Sequence, residues 1–215
     1  MSTPKLKIRT LELGPYATNC YIVWCEGLSD CWIIDASFDA HEIVDSVREL
    51  KLTPIALILT HAHIDHIAGV ETVRSAFPGI PLWNHEHEQA WLGDPELNLS
   101  AFSGMPITCG AAQRVLHEGD EIALAGTRWK VLHVPGHSPG SIALHCAGAS
   151  VVIAGDALFA GSIGRTDFPG CSFEQLEKSI KSKLYTLPDD TRVLPGHGPS
   201  TTIGREKKSN QFVRA

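Results

Sequence analysis

Short runs of apolar residues alternate along this chain with clusters of Gly, Pro, Asp and Ser, a rhythm of strands and turns interrupted by stretches of helical period. CYIVW (20–24) and CWIID (31–35) are β-branched or aromatic, with the turn-rich EGLSD between them. From Asp39 to Leu50 the period changes. Ile43, Val44, Val47 and Leu50 share one helical face, and Asp39 stands where a cap would start the helix. IALIL (55–59) has the length and continuity of a buried strand. Ile64 to Phe77 reads as a helix stopped by Pro78-Gly79, and Ile80 to Trp83 as the next strand. After residue 120 the strand pattern returns in EIALA, TRWKVLHV, SIALHC and SVVIAG. A helix is predicted over Phe173 to Leu184, where Leu176, Ile180 and Leu184 share a face, and a last strand over Thr191 to Leu194. The stretch 92–119 fits neither period and is expected to be an irregular surface excursion, of the kind that borders sites. Helices mixed with two groups of strands fit a layered α/β arrangement better than an all-β sandwich.

Composition narrows the picture. The chain has 215 residues, 43% of them apolar, which suffices for one large core. With no linker, repeat or charge run in view, 1–215 is expected to be a single domain. A mild net charge of −6 gives no basic face for nucleic acid. No apolar segment approaches the roughly 20 residues of a membrane span, and the first ten residues lack an export signal, so a cytoplasmic chain is expected. Six cysteines, none in a CxxC pair, then read as reduced and mostly buried thiols, with Cys171 the exception because it follows a Gly in a loop expected to border a site.

One stretch resists a purely structural reading. THAHIDHIAG (60–69) crowds His61, His63, Asp65 and His66 behind the strand IALIL. As that strand frays, His61 and His63 fall on the same side, while Asp65 and His66 sit in the first turn of the following helix. Imidazole and carboxylate at this spacing suit a divalent metal ion. The same local design recurs three times: His137 in VPGHSPGS, Asp156 in VVIAGD and His197 in VLPGHG each follow an apolar run and lie in a Gly-containing turn. A lone His or Asp in such a place is ordinarily structural. Four strand-end sites together point to a metal centre. His85 and His87 in WNHEHEQAW lack the spacing of a helical zinc site and read as solvated; His133 and His145 read as structural.

HAHIDH (61–66), GHSPGS (136–141), GD (155–156) and PGHG (195–198), in this order, resemble the metallo-β-lactamase superfamily. GDALFAGSIGRTDFPG (155–170) and TIGREKKSNQF (202–212) resemble its short, single-domain glyoxalase II-like hydrolases, and the likeness runs from GPYATNCYIV to the C-terminus. The resemblance implies an αββα sandwich of two mixed sheets flanked by helices. It implies two divalent ions, zinc first, with iron or manganese as alternatives. His61, His63 and His137 would hold one ion; Asp65, His66 and His197 the other; Asp156 would bridge them. WIIDAS departs from the family in carrying Ala36-Ser37 where relatives have Pro-Gly.

The implied reaction is thioester hydrolysis, with S-lactoylglutathione as the type of substrate, a metal-bound hydroxide as nucleophile, and Asp65 and His66 at the catalytic centre. The sequence offers no GxSxG elbow to do this work instead. Glutathione carries two carboxylates, and Arg165, Arg205 and Lys208, with Lys207 and Arg214 nearby, are the candidates to receive them; a solvated tail is the competing reading for the last four. The rival reaction is that of the mononuclear-iron glutathione persulfide dioxygenases, which share HxHxDH and a stretch like GRTDF (164–168). A nuclease would need a basic stripe that is missing.

Overall fold

The computed structural model describes residues 5–215, which pack as two compact units. The first runs to Leu116 and includes Ala123–Thr127; the second comprises His117–Ile122 and Arg128–Ala215.

In the first unit, β1 (Leu6–Leu13), β2 (Thr18–Cys25) and β3 (Asp30–Ile34) form an antiparallel meander, registered from Leu6 opposite Cys25 to Leu13 opposite Thr18. Helix α1 (His41–Glu49) then crosses to β4 (Thr53–Ile58), parallel to β3. Two short helices, α2 (Ile64–Ile67) and α3 (Val70–Ala76), lead to β5 (Leu82–His85), and β6 (Arg114–Leu116) adds in parallel at the edge. The sheet order is β1 to β6, so β1 is the other edge; its Arg9 donates to Ser46 (2.7 Å) and Glu49 (2.6 Å) of α1. Ile43 and Val47 of α1 and Val70 and Val73 of α3 are buried with Ile33, Leu57, Leu59 and Leu82. Each such side chain removed from water contributes about 1.5–3 kcal/mol.

The second sheet, which belongs to the second unit except for Ala123, Leu124 and Thr127, runs in order β7 (Glu121–Leu124), β8 (Thr127–His133), β9 (Ile142–Cys146), β10 (Val151–Gly155), β11 (Arg192–Pro195) and β12 (Thr201–Thr202). The β10–β11 pair is parallel, joined through the crossover helix α4 (Phe173–Ser179), which continues as a wider π-helical turn over Ile180–Leu184. Helix α5 (Ile203–Ser209) follows β12. Leu176, Ile180, Leu184 and Ile203 are buried with Val152, Ala154 and Val193. No helix of the described residues is long and apolar enough to cross a membrane.

The expected class, two mixed sheets with helices, is what the structure shows. Several elements differ from the pattern reading. Ile64–Phe77 is not one helix, because the Gly69 N–H donates to Ala36 O and a Cβ there would lie 2.3 Å from both Ala40 Cβ and Ser37 O. Asp39 does not cap α1: it is left-handed (φ 59°), and the helix starts from Ala40 without a side-chain cap. The 92–119 excursion contains a helical turn at Ser100–Ser103 and the strand β6. Beyond residue 200 the chain is not a solvated tail, since Ile203, Glu206 and Val213 are buried.

Candidate metal centre

In the first unit, three adjacent parallel strands deliver polar residues at their carboxyl ends, where open α/β sheets bind ligands. Strand β3 is followed by Asp35, β4 by Thr60–His63, and β5 ends in His85 before Glu88. His61, His63 and His66 are buried; the ring centroids of His61 and His66 lie 4.0 Å apart and those of His61 and His63 4.8 Å. Asp65 Oδ2 is 3.3 Å from His66 Nε2 and accepts from the Thr18 hydroxyl at 2.9 Å. Asp35 organises the turn: Oδ1 accepts the Thr60 N–H (2.7 Å), and Oδ2 accepts the Thr60 hydroxyl (2.7 Å) and His66 Nδ1–H (2.8 Å). From the β5 side, the buried carboxylate of Glu88 accepts the Ala62 N–H, between His61 and His63, at 2.6 Å.

In the second unit the antiparallel β8–β9 and β9–β10 pairs make β8 run with β10 and β11, so the same logic repeats. His137, Asp156 and His197 follow the carboxyl ends of these three strands. Asp156 Oδ2 lies 3.5 Å from His137 Nε2 and 3.3 Å from His197 Nε2. The Phe159 ring meets His197 edge-on at 5.8 Å. His137 Nδ1 donates to Arg165 O at 2.8 Å, an approach that needs Gly164, where a Cβ would sit 2.9 Å from Nδ1 and 2.0 Å from Asp156 O.

These hydrogen bonds fix tautomers. A carbonyl oxygen only accepts, so His137 carries its proton on Nδ1; the Asp35 carboxylate does the same for His66. In a neutral ring Nε2 then presents a lone pair, yet in both residues it faces a carboxylate oxygen. Two electron-rich atoms in a buried place are reconciled by a cation, a proton or a metal. A ring held at its far nitrogen by a carboxylate or carbonyl is also the arrangement of metal-ligating histidines. Each unit thus carries a cluster of the donor types that hold divalent ions, and the donor set fits such ions.

The candidate substrate residues are placed differently. The Arg165 guanidinium forms a fork with Asp167 (2.9 and 2.8 Å) and lies over the Phe168 ring, and this pairing holds the Asp167 carboxyl below its ordinary pKa. Arg205 and Lys208 are exposed on α5, and Lys207 is paired with Asp189. His85, expected to be solvated, is buried, with Nδ1 accepting the His87 N–H; His87 itself is exposed. No thiol competes as nucleophile in the Asp35 region: burial first, then the Asp35 charge, pushes Cys20 up to about 12. Asp35, Thr18 and Glu88 were not among the expected site residues. Only Asp35 carried a signal, because it follows an apolar strand as the other candidates do.

Residues 13–197 match the metallo-beta-lactamase superfamily. The chain is 39% identical to the probable metallo-hydrolase YqgX of Bacillus subtilis over 97% of its length and 98% of that protein's. It is 34% identical to the hydroxyacylglutathione hydrolase GloC of Haemophilus influenzae over 98% and 99% of the two chains. Among solved structures, BLEG-1 B3 metallo-beta-lactamase superposes with a TM-score of 0.92 at 39% identity, covering 97% of this chain and 100% of that one. TTHA1623 in a di-iron-bound form gives 0.83 at 35% identity, covering 95% and 100%. ETHE1 from Myxococcus xanthus gives 0.78 at 28%, covering 96% and 84%.

Proposed function

Since the chain belongs to the metallo-beta-lactamase superfamily, we propose that it is a dinuclear-metal hydrolase of a glutathione-based thioester such as S-lactoylglutathione. One ion would be held by His61, His63 and His137, the other by Asp65, His66 and His197, with Asp156 serving both and 1–215 working as one domain. The observation that carries the reading is the pair of Nδ1-protonated rings, His66 and His137, whose Nε2 atoms face carboxylates. Divalent ions bound there, zinc in the first place, supply Lewis acidity and lower the pKa of water to about 7. The chain's own residues do the rest. Asp35 keeps the His66 proton on Nδ1, Thr18 orients Asp65, and Glu88 steadies the backbone between His61 and His63. A thiolate leaving group needs no strong acid, because thiols ionise near pH 8.5. Arg205 and Lys208 are offered for the glutathione carboxylates. Arg165 is offered with them, since its pair with Asp167 lies at the exposed surface, and its carbonyl also holds His137 Nδ1. The name of GloC supports the substrate class and the glyoxalase II-like branch.

The second reading, a mononuclear-iron glutathione persulfide dioxygenase, is favoured by the GRTDF stretch. The similar structure TTHA1623 is di-iron-bound, so iron by itself does not separate the readings and the reaction must. S-lactoylglutathione hydrolysis by protein purified with its native metal should be fast, vanish on chelation and return with zinc. His66→Ala should lower it by more than the ~100-fold typical of outer-shell changes, with the fold retained by circular dichroism. Full activity in that variant removes the two-metal mechanism. No hydrolysis by folded, metal-loaded protein, with oxygen uptake on glutathione persulfide, moves the assignment to the dioxygenase.

A further inference from the structure

Three successive carbonyls of the loop that carries His137 are each held by α4 or by the two residues before it: one by the last residue of the helix, two from its start. The Ser179 hydroxyl donates to Pro135 O at 2.8 Å, the Ser172 N–H donates to Gly136 O at 2.8 Å, and the Cys171 thiol donates to His137 O. Ser172 also caps α4, its side chain accepting the Gln175 N–H. The approach is closer than any side chain permits. Gly136 lies at φ +133°, and a Cβ there would come 2.3 Å from Leu176 N and 2.5 Å from Leu176 Cα.

Ser179 is buried on the side of the helix that also buries Leu176 and Ile180. A small apolar residue would fill that position without the cost of burying a hydroxyl. The hydroxyl is satisfied by one acceptor, the carbonyl two residues before His137. The imidazole is fixed separately, by Arg165 O at Nδ1. Backbone and ring are therefore held from two directions, which is how outer-shell groups tune a metal ligand.

We infer that α4 is the positioning element of His137, and that Ser179 and the Cys171 thiol are positioning residues that set metal affinity. The inference rests on the reading of His137 as a ligand. Its test is zinc affinity of the demetallated full-length chain, measured by competition with a chromophoric chelator, with the visible spectrum of the cobalt-loaded protein and the melting temperature of the metal-free protein alongside. Ser179→Ala should weaken one zinc-binding event by about 10–100-fold and shift the cobalt spectrum, with the metal-free melt little changed. Cys171→Ala should act in the same direction, and Cys171→Ser, which keeps a donor, should restore near wild-type affinity. Unchanged affinity and spectrum in Ser179→Ala, or a lowered melt alone, overturns the inference. Equal losses in both Cys171 variants remove the thiol from it. A wild-type chain that takes up no metal fails the ligand reading itself; one that binds metal while the variants bind equally fails only this inference.

Discussion

Asp35 does as much as any single residue to shape the candidate centre. It occupies the left-handed region (φ 60°) that few residues other than Gly, Asn and Asp tolerate, and from there its carboxylate receives Thr60 twice and His66 once. Asp35→Asn keeps the backbone tolerance and the size but loses the charge, and its amide presents donors where three donors converge. Metal affinity should fall about 10–100-fold, read by chelator competition; wild-type affinity would show that the charge is dispensable. The local cluster His61 to His66 is legible in the sequence because its members share six positions. Its supporting shell is not. Thr18 lies 47 residues from Asp65, Asp35 lies 31 from His66 and Glu88 lies 26 from Ala62, and Thr, Asp and Glu are too common to stand out singly. Only the folded sheet aligns their strand ends.

At the scale of elements, apolar periodicity located the buried strands well, because β2, β3 and β10 are buried along nearly all their length. It failed where backbone contact decides. Ile64–Phe77 keeps a helical period throughout, yet the chain breaks at Gly69 so that its N–H can reach Ala36 O. The two descriptions predict opposite signs for Gly69→Ala. In a continuous helix the change would stabilise by up to ~1 kcal/mol; here the added methyl meets Ser37 O and Ala40 Cβ at 2.3 Å. The protein should lose about 1–3 kcal/mol, seen as a lower urea midpoint. A raised midpoint would restore the single helix. Helix α5 was invisible for a different reason: its anchor is polar. Glu206 accepts from the Thr201 hydroxyl, the Gly161 N–H and the Asn210 amide, contacts that a hydrophobic pattern does not register.

Across the whole molecule the six cysteines are thiols outside any disulfide, five buried and Cys171 half-buried. Burial first, with nearby acidic groups next, pushes Cys20, Cys31 and Cys109 up to about 12, leaving a thiolate fraction on the order of 10⁻⁴ at pH 8. Native protein at pH 8 should therefore take a single iodoacetamide adduct, on Cys171, and the other five only in denaturant. Intact-mass and peptide analysis would show this, and a second native adduct would contradict the burial. One edge has a further bearing on how the protein behaves in company. Strand β1 is eight residues long and ends its sheet, an open ladder that invites another chain to add itself. Lys7 and Arg9 stand on that strand, tied to Glu26 and Glu49, so an arriving strand would have to settle against charge. The fold is thereby guarded against growing, copy upon copy, into a ribbon.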